Sequence, residues 1–137
     1  MPPLLKQLRA VPMVLVMGTI FFLSHQSGDS IDLGQIPGTD KLAHMCIYGL
    51  LAATVIFAHR QSTKKKFPLQ VCGITLVVCL FYGLSDEFHQ SFVPGRFVSG
   101  ADVLADVIGG ALVAAGWLFM EKRRKKKGKG QGRISVA

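Results

Sequence analysis

The chain has 137 residues, of which 50% are hydrophobic and 18% charged, and its formal net charge is +8. That length allows one domain, and the charged fraction falls below the roughly 25% usual for a soluble domain. The charges crowd into short connectors between long uncharged runs, a pattern that argues against a soluble fold and describes a chain whose main solvent is lipid.

A helix needs about 20 apolar residues to cross the hydrocarbon core. The first candidate runs from about Val11 to Leu23 and is short, although Leu4, Leu5 and Leu8 lengthen it if Lys6 and Arg9 snorkel. Its basic start and apolar centre also fit a signal peptide. Ser24-His25-Gln26-Ser27-Gly28 follows in place of an Ala-x-Ala site, so a retained helix is expected. The second candidate covers about Leu42 to Ala58, the third about Phe67 to Leu84 and the fourth about Val103 to Met120. The third is expected to run on towards Phe92, where Pro94-Gly95 breaks it.

Charge sorts these spans by side. Lys6 and Arg9, then Arg60, Lys64, Lys65 and Lys66, then the eight basic residues of Lys122–Arg133 put 14 of the 16 Lys and Arg on one side. Lys41, Arg96 and seven of the eight acids fall on the other. Basic connectors stay in the cytoplasm. The expected architecture is therefore all-α: an integral membrane four-helix bundle over residues 1–121 with both termini cytoplasmic. Residues 122–137 are expected to form a basic, disordered cytoplasmic tail that leans on anionic lipid. No nucleic-acid-binding signature accompanies that tail, so nucleic acid is not an expected partner. Cys46, Cys72 and Cys79 lie in apolar runs with no CxxC spacing, and are expected to pack rather than to form a disulfide or a zinc site.

The informative residues are polar groups that a lipid-facing helix should not carry. Asp40, His44 and Tyr48 recur at i, i+4, i+8, as do Tyr82, Asp86 and Gln90, with Glu87 and His89 beside them. Asp102, Asp106 and Gly110 repeat the spacing, next to a strip of small residues, Ala101, Ala105 and Gly109, of the kind that lets membrane helices approach closely. Each polar group is costly against lipid, so the rows should face one another near the outer end of the bundle. Plainer roles stay open for several. Asp40 and Asp102 sit where helix caps belong. His44 fits an interior histidine, Tyr48 and Tyr82 fit an interfacial belt, and Arg96 fits an ion pair closing the outer loop.

Read in order, Ser24-His25-Gln26, Asp40-Lys41-Leu42-Ala43-His44 with Tyr48, Asp86-Glu87-Phe88-His89-Gln90, Phe92-Val93-Pro94-Gly95-Arg96 and Asp102-Val103-Leu104-Ala105-Asp106 with Gly109 resemble the VanZ-like family of small bacterial membrane proteins. The likeness extends from about Ser24 to Gly116. One departure is Asp106, a place where the family pattern commonly has Asn. The resemblance implies a bacterial cytoplasmic membrane and an envelope theme, since the founding member is associated with resistance to the glycopeptide teicoplanin.

Four uses of the polar cluster follow. An enzyme acting on a lipid-linked or lipid headgroup substrate would use His44 for acid–base work and Arg96 to hold a phosphate, with Asp86 and Glu87 completing the catalytic set. Asp40, Tyr48, Gln90, Asp102 and Asp106 would be binding or cluster residues. Five acids against Lys41 and Arg96 leave an excess of negative charge. This reading therefore needs a divalent cation, Mg²⁺, Mn²⁺ or Ca²⁺ before Zn²⁺, on Asp86, Glu87 and Asp106, or protonated acids. A binding or shielding protein for a glycopeptide or a membrane partner is the alternative. A proton-coupled transporter is the third reading, and a cluster that only fixes helix register is the fourth. The sequence does not specify an oligomeric state.

Overall fold

The structure is a computed structural model. It describes residues 8–27 and 38–134, with side chains described as far as residue 127. A 3-10 turn, Leu8–Ala10, leads into α1, Val11–Ser24. Then come α2, Thr39–Ala58, a short α3, Gln61–Lys66, the long α4, Pro68–Gln90, and α5, Gly100–Ile134. The described residues are helical, with no strand.

Three of these helices are long and apolar enough to cross a membrane: Thr39–Ala58, Pro68–Gln90 and the Gly100–Lys127 part of α5. The apolar stretch Leu8–Ser24 is shorter than they are. Two expected boundaries differ. Gln61–Lys66 was expected as plain connector and forms a helical turn, because Arg60 and Phe67 carbonyls take the backbone N–H groups of Lys64 and Val71 and carry the chain from one span to the next. The expected break after Glu121 does not occur in the backbone: α5 continues through the basic run to Ile134. Lys and Arg are good helix formers, and cations favour the negative C-terminal end of a helix.

Proline sits in the first turn of α1 and of α4, where its missing N–H costs nothing. The outer end of α4 closes on Ser91, and Gly95 takes φ 75°, a left-handed value that suits glycine and turns the chain towards α5.

The core is small. Ile20 of α1, Tyr48, Leu51, Ala52 and Val55 of α2 and Cys79 of α4 form one buried cluster, with Met17, Tyr82 and Val113 against it. Ile56, Val71 and Ala114 form another further in. Large apolar side chains such as Phe22, Leu69, Phe81, Phe88 and Leu112 point outward, as lipid-facing surfaces require. The tightest helix contact joins α2 to α5: a Cβ at Gly109 would overlap the backbone carbonyl of Met45. Backbones meet this closely only where a small residue allows it.

Gly109→Ala should therefore lower stability by about 1–3 kcal/mol through overpacking. Gly116→Ala, at a position with no neighbour within 4 Å, should not. Thermal melting of detergent-solubilised protein measures both, and equal melting temperatures would contradict the proposed contact.

Candidate functional site

The α2–α5 contact brings His44 to Asp106. The two side chains lie one turn above Gly109, and His44 Nδ1 and Asp106 Oδ1 are 2.9 Å apart. When the acid is ionised it can only accept, so Nδ1 donates to it; Nε2 offers a lone pair in the neutral imidazole and a second N–H in the imidazolium. Asp106 is fully buried, and its Oδ2 has no partner among the described residues. Gly83 on α4 leaves the space for it, since a Cβ there would lie 2.7 Å from Oδ2.

Lys41, one turn further out, bridges two acids: its Nζ donates to Asp40 at 2.8 Å and to Asp102 at 3.0 Å. The closeness of α2 and α5 places Asp102 within its reach, and two carboxylates outcompete water for one ammonium. On α4, Glu87 accepts from the Ser99 backbone N–H through Oε2 at 2.6 Å, while its buried Oε1 has no partner among the described residues. Asp86, on a different face of the same turn, takes the Gln90 amide at 3.1 Å, and that amide also reaches Ser24 Oγ at 3.3 Å.

These contacts divide the expected cluster in two. A cavity of about 220 Å³ lies between α1, α2 and α4. Asp40, His44, Tyr48, Asp86, Gln90 and Arg96 contribute its polar lining, and Ile20, Leu23 and Ile47 add apolar wall. Glu87, Asp102 and Asp106 do not line it. Among the described residues, one group could hold a metal ion: His44, Glu87 and Asp102 each offer a ligand atom, all within 4.8 Å of one another. His44 alone belongs to both. Of the three acids expected as ligands, Glu87 is in this group. Asp86 turns to Gln90, and Asp106 bonds to the histidine of this group through Nδ1, an arrangement that would orient the ring if Nε2 held an ion. One nitrogen and two oxygens suit Mn²⁺ and, less fully, Mg²⁺ or Ca²⁺.

Arg96 was expected to hold a phosphate or to form an ion pair closing the outer loop. Its guanidinium instead donates to two carbonyls at the end of α1, Gln26 at 3.1 Å and Leu23 at 3.2 Å. A helix C-terminus leaves such carbonyls unpaired and partly negative, which is reason enough for a cation to settle there. The contribution of α1 was missed. Ser24 touches Gln90, and Tyr82 donates to the Met17 carbonyl at 2.6 Å. His25 Nδ1 and His89 Nε2 lie 3.3 Å apart, one donating to the other. The signal was present in the polar run Ser24-His25-Gln26 directly after an apolar helix. Tyr48 is fully buried against His44, ring centroids 6.4 Å apart, and its hydroxyl has no partner among the described residues.

A membrane protein with three apolar spans and this polar cluster near one end of the bundle has the features of the family it resembles. The VanZ/LLP1 family model matches residues 8–121, and the chain belongs to that family. It is also 30% identical, over 93 residues, to an uncharacterized protein of Schizosaccharomyces pombe. That match covers 67% of this chain and 54% of the yeast protein, so the chain spans about half the length of that relative. No solved structure gives a significant match.

The buried pair makes a test of the geometry. His44→Ala strands Asp106 without a partner and should cost about 1–3 kcal/mol of stability, or more if the acid stays charged. Adding Asp106→Asn should recover part of that loss. A double-mutant cycle with no coupling would mean that the two side chains do not meet.

Proposed function

We propose that this protein is a four-span membrane enzyme with both termini in the cytoplasm, acting at the opposite face on the phosphate of a lipid-linked or lipid headgroup substrate with a divalent cation. Three spans are long enough by themselves. The fourth, α1, reaches the required length if residues before Leu8 extend it, and an even number of spans puts every basic connector on one side. Because a similar chain occurs in a fission yeast, this reading assigns a side of the membrane and leaves the kind of envelope open.

The observation that carries the proposal is the position of His44. It is fixed by Asp106 through one ring nitrogen, borders the cavity, and stands with Glu87 and Asp102 in one ligand-sized group. The charge balance gives this weight. Arg96 is turned to backbone carbonyls and Lys41 is shared by Asp40 and Asp102, so among the described residues no Lys or Arg is bonded to Asp86, Glu87 or Asp106, and Asp106 has His44 as its partner. Two like charges 4 Å apart repel by about 4 kcal/mol at an effective dielectric of about 20. A divalent cation held by His44, Glu87 and Asp102 would relieve that repulsion, and its charge would favour the entry of a phosphate. Such an ion would polarise the phosphate or activate a water. Asp86, in the cavity wall and outside the ligand group, is the carboxylate left to handle the proton.

Two measurements test the reading. Reporters placed after Lys66 and at the C-terminus should report cytoplasm, and one within residues 28–37 the opposite side; a cytoplasmic signal there would reverse the topology. Melting temperature after EDTA should rise on titration with Mn²⁺ or Mg²⁺, and the rise should weaken in Glu87→Gln and His44→Ala. If no ion shifts melting between pH 6 and 8 and both variants fold and function in cells, the cluster is a scaffold and the enzyme reading fails.

A further inference from the structure

The inner end of the protein carries a second feature that the outer site does not use. α3 lies between the end of α2 at Ala58 and the start of α4 at Pro68, at the level where two spans leave the hydrocarbon. The inner part of α5 leans on it: Lys125 Nζ donates to the Lys65 carbonyl at 2.8 Å. Between them is a cleft of about 450 Å³, lined by Gln61, Lys65, Glu121, Arg124 and Lys125. Three cations face one acid there.

Lys64, on the same short helix, adds an independent observation. It is only 7% exposed, the one buried basic side chain among the described residues, and no carboxylate of those residues lies within ion-pair distance of it. Burial, and then Arg9 nearby, push its pKa below the ordinary lysine value, while Glu121 pulls it back. An ammonium withdrawn from water without a counter-charge is costly. Among the described residues Glu121 is the one acid lining this cleft against three cations, and the cleft sits at headgroup depth, where lipid phosphates supply further negative charge.

We propose that the cleft between α3 and α5 binds the phosphate of one anionic phospholipid, held by Lys65, Arg124 and Lys125. A general attraction of basic residues to an anionic leaflet would not distinguish these cations from others on the same helix. A built site does, and Lys127, which lies outside the cleft, is the control.

The full chain, purified in detergent, is offered phosphatidylglycerol and phosphatidylcholine at equal concentration, and bound lipid is counted by native mass spectrometry. One phosphatidylglycerol should be retained in preference to phosphatidylcholine. Lys65→Ala and Arg124→Ala should each weaken it about fivefold, the worth of one cation near a membrane surface, while Lys127→Ala leaves it unchanged. Thermal melting checks that each variant is folded. Equal weakening by Lys127→Ala would reduce the site to diffuse attraction. Displacement by inorganic phosphate at the same concentration would make it a free-phosphate site. No preference between the lipids would remove it. None of these outcomes bears on the cation response of the outer site, which is measured separately.

Discussion

The arrangement of the outer site depends on how closely α2 and α5 approach. At Gly109 the two backbones are in contact through the Met45 carbonyl. His44 precedes Met45, and Asp106 lies three residues before Gly109, so the contact that joins the helices also sets the distance between imidazole and carboxylate. A larger residue at 109 would separate the helices, and a buried acid would then lose its one partner. Packing and electrostatics here are a single constraint: the small-residue strip exists at the depth where the chain places its most deeply buried charge.

Much of this was legible in the sequence. The i+4 rows were right as rows: Asp86 and Gln90 bond to each other on α4, His44 and Tyr48 stack on α2, and Asp102 and Asp106 both turn to α2. Spacing along one helix shows which residues share a face. It does not show which neighbouring helix that face meets. Hence Asp86 and Glu87, about 100° apart around α4, could not be assigned to their separate surroundings, and the ligand group of His44, Glu87 and Asp102 was not separable from the other acids. Backbone partners were also out of reach. The Ser99 N–H on Glu87 and the α1 carbonyls on Arg96 arise from how a loop and a helix end happen to lie, and neither has a residue-type signature. α3 was hidden because a six-residue basic run reads as connector whether or not it closes a helical turn.

The distribution of counter-charge separates the two ends of the protein. At the outer end acids exceed the cations bonded to them, and the Lys and Arg present are already engaged by Asp40, Asp102 and two carbonyls. At the inner end Glu121 stands among a crowd of Lys and Arg. Each end has an excess that the described side chains do not neutralise. Net charge averaged over the molecule conceals both.

The length of α5 has a mechanical consequence. At about 1.5 Å per residue its 35 residues extend about 52 Å, well beyond a hydrocarbon core of about 30 Å. A rod that long meets bilayers of different thickness by tilting. If it pivots at the tight contact at Gly109, Asp106 is about 4.5 Å from the pivot along the axis and Arg124 about 22 Å. A tilt of about 5° would then sweep Arg124 through about 2 Å, against the Lys125–Lys65 contact, and move Asp106 by about 0.4 Å. Such a lever would concentrate the motion at the basic end and leave the His44–Asp106 distance nearly untouched.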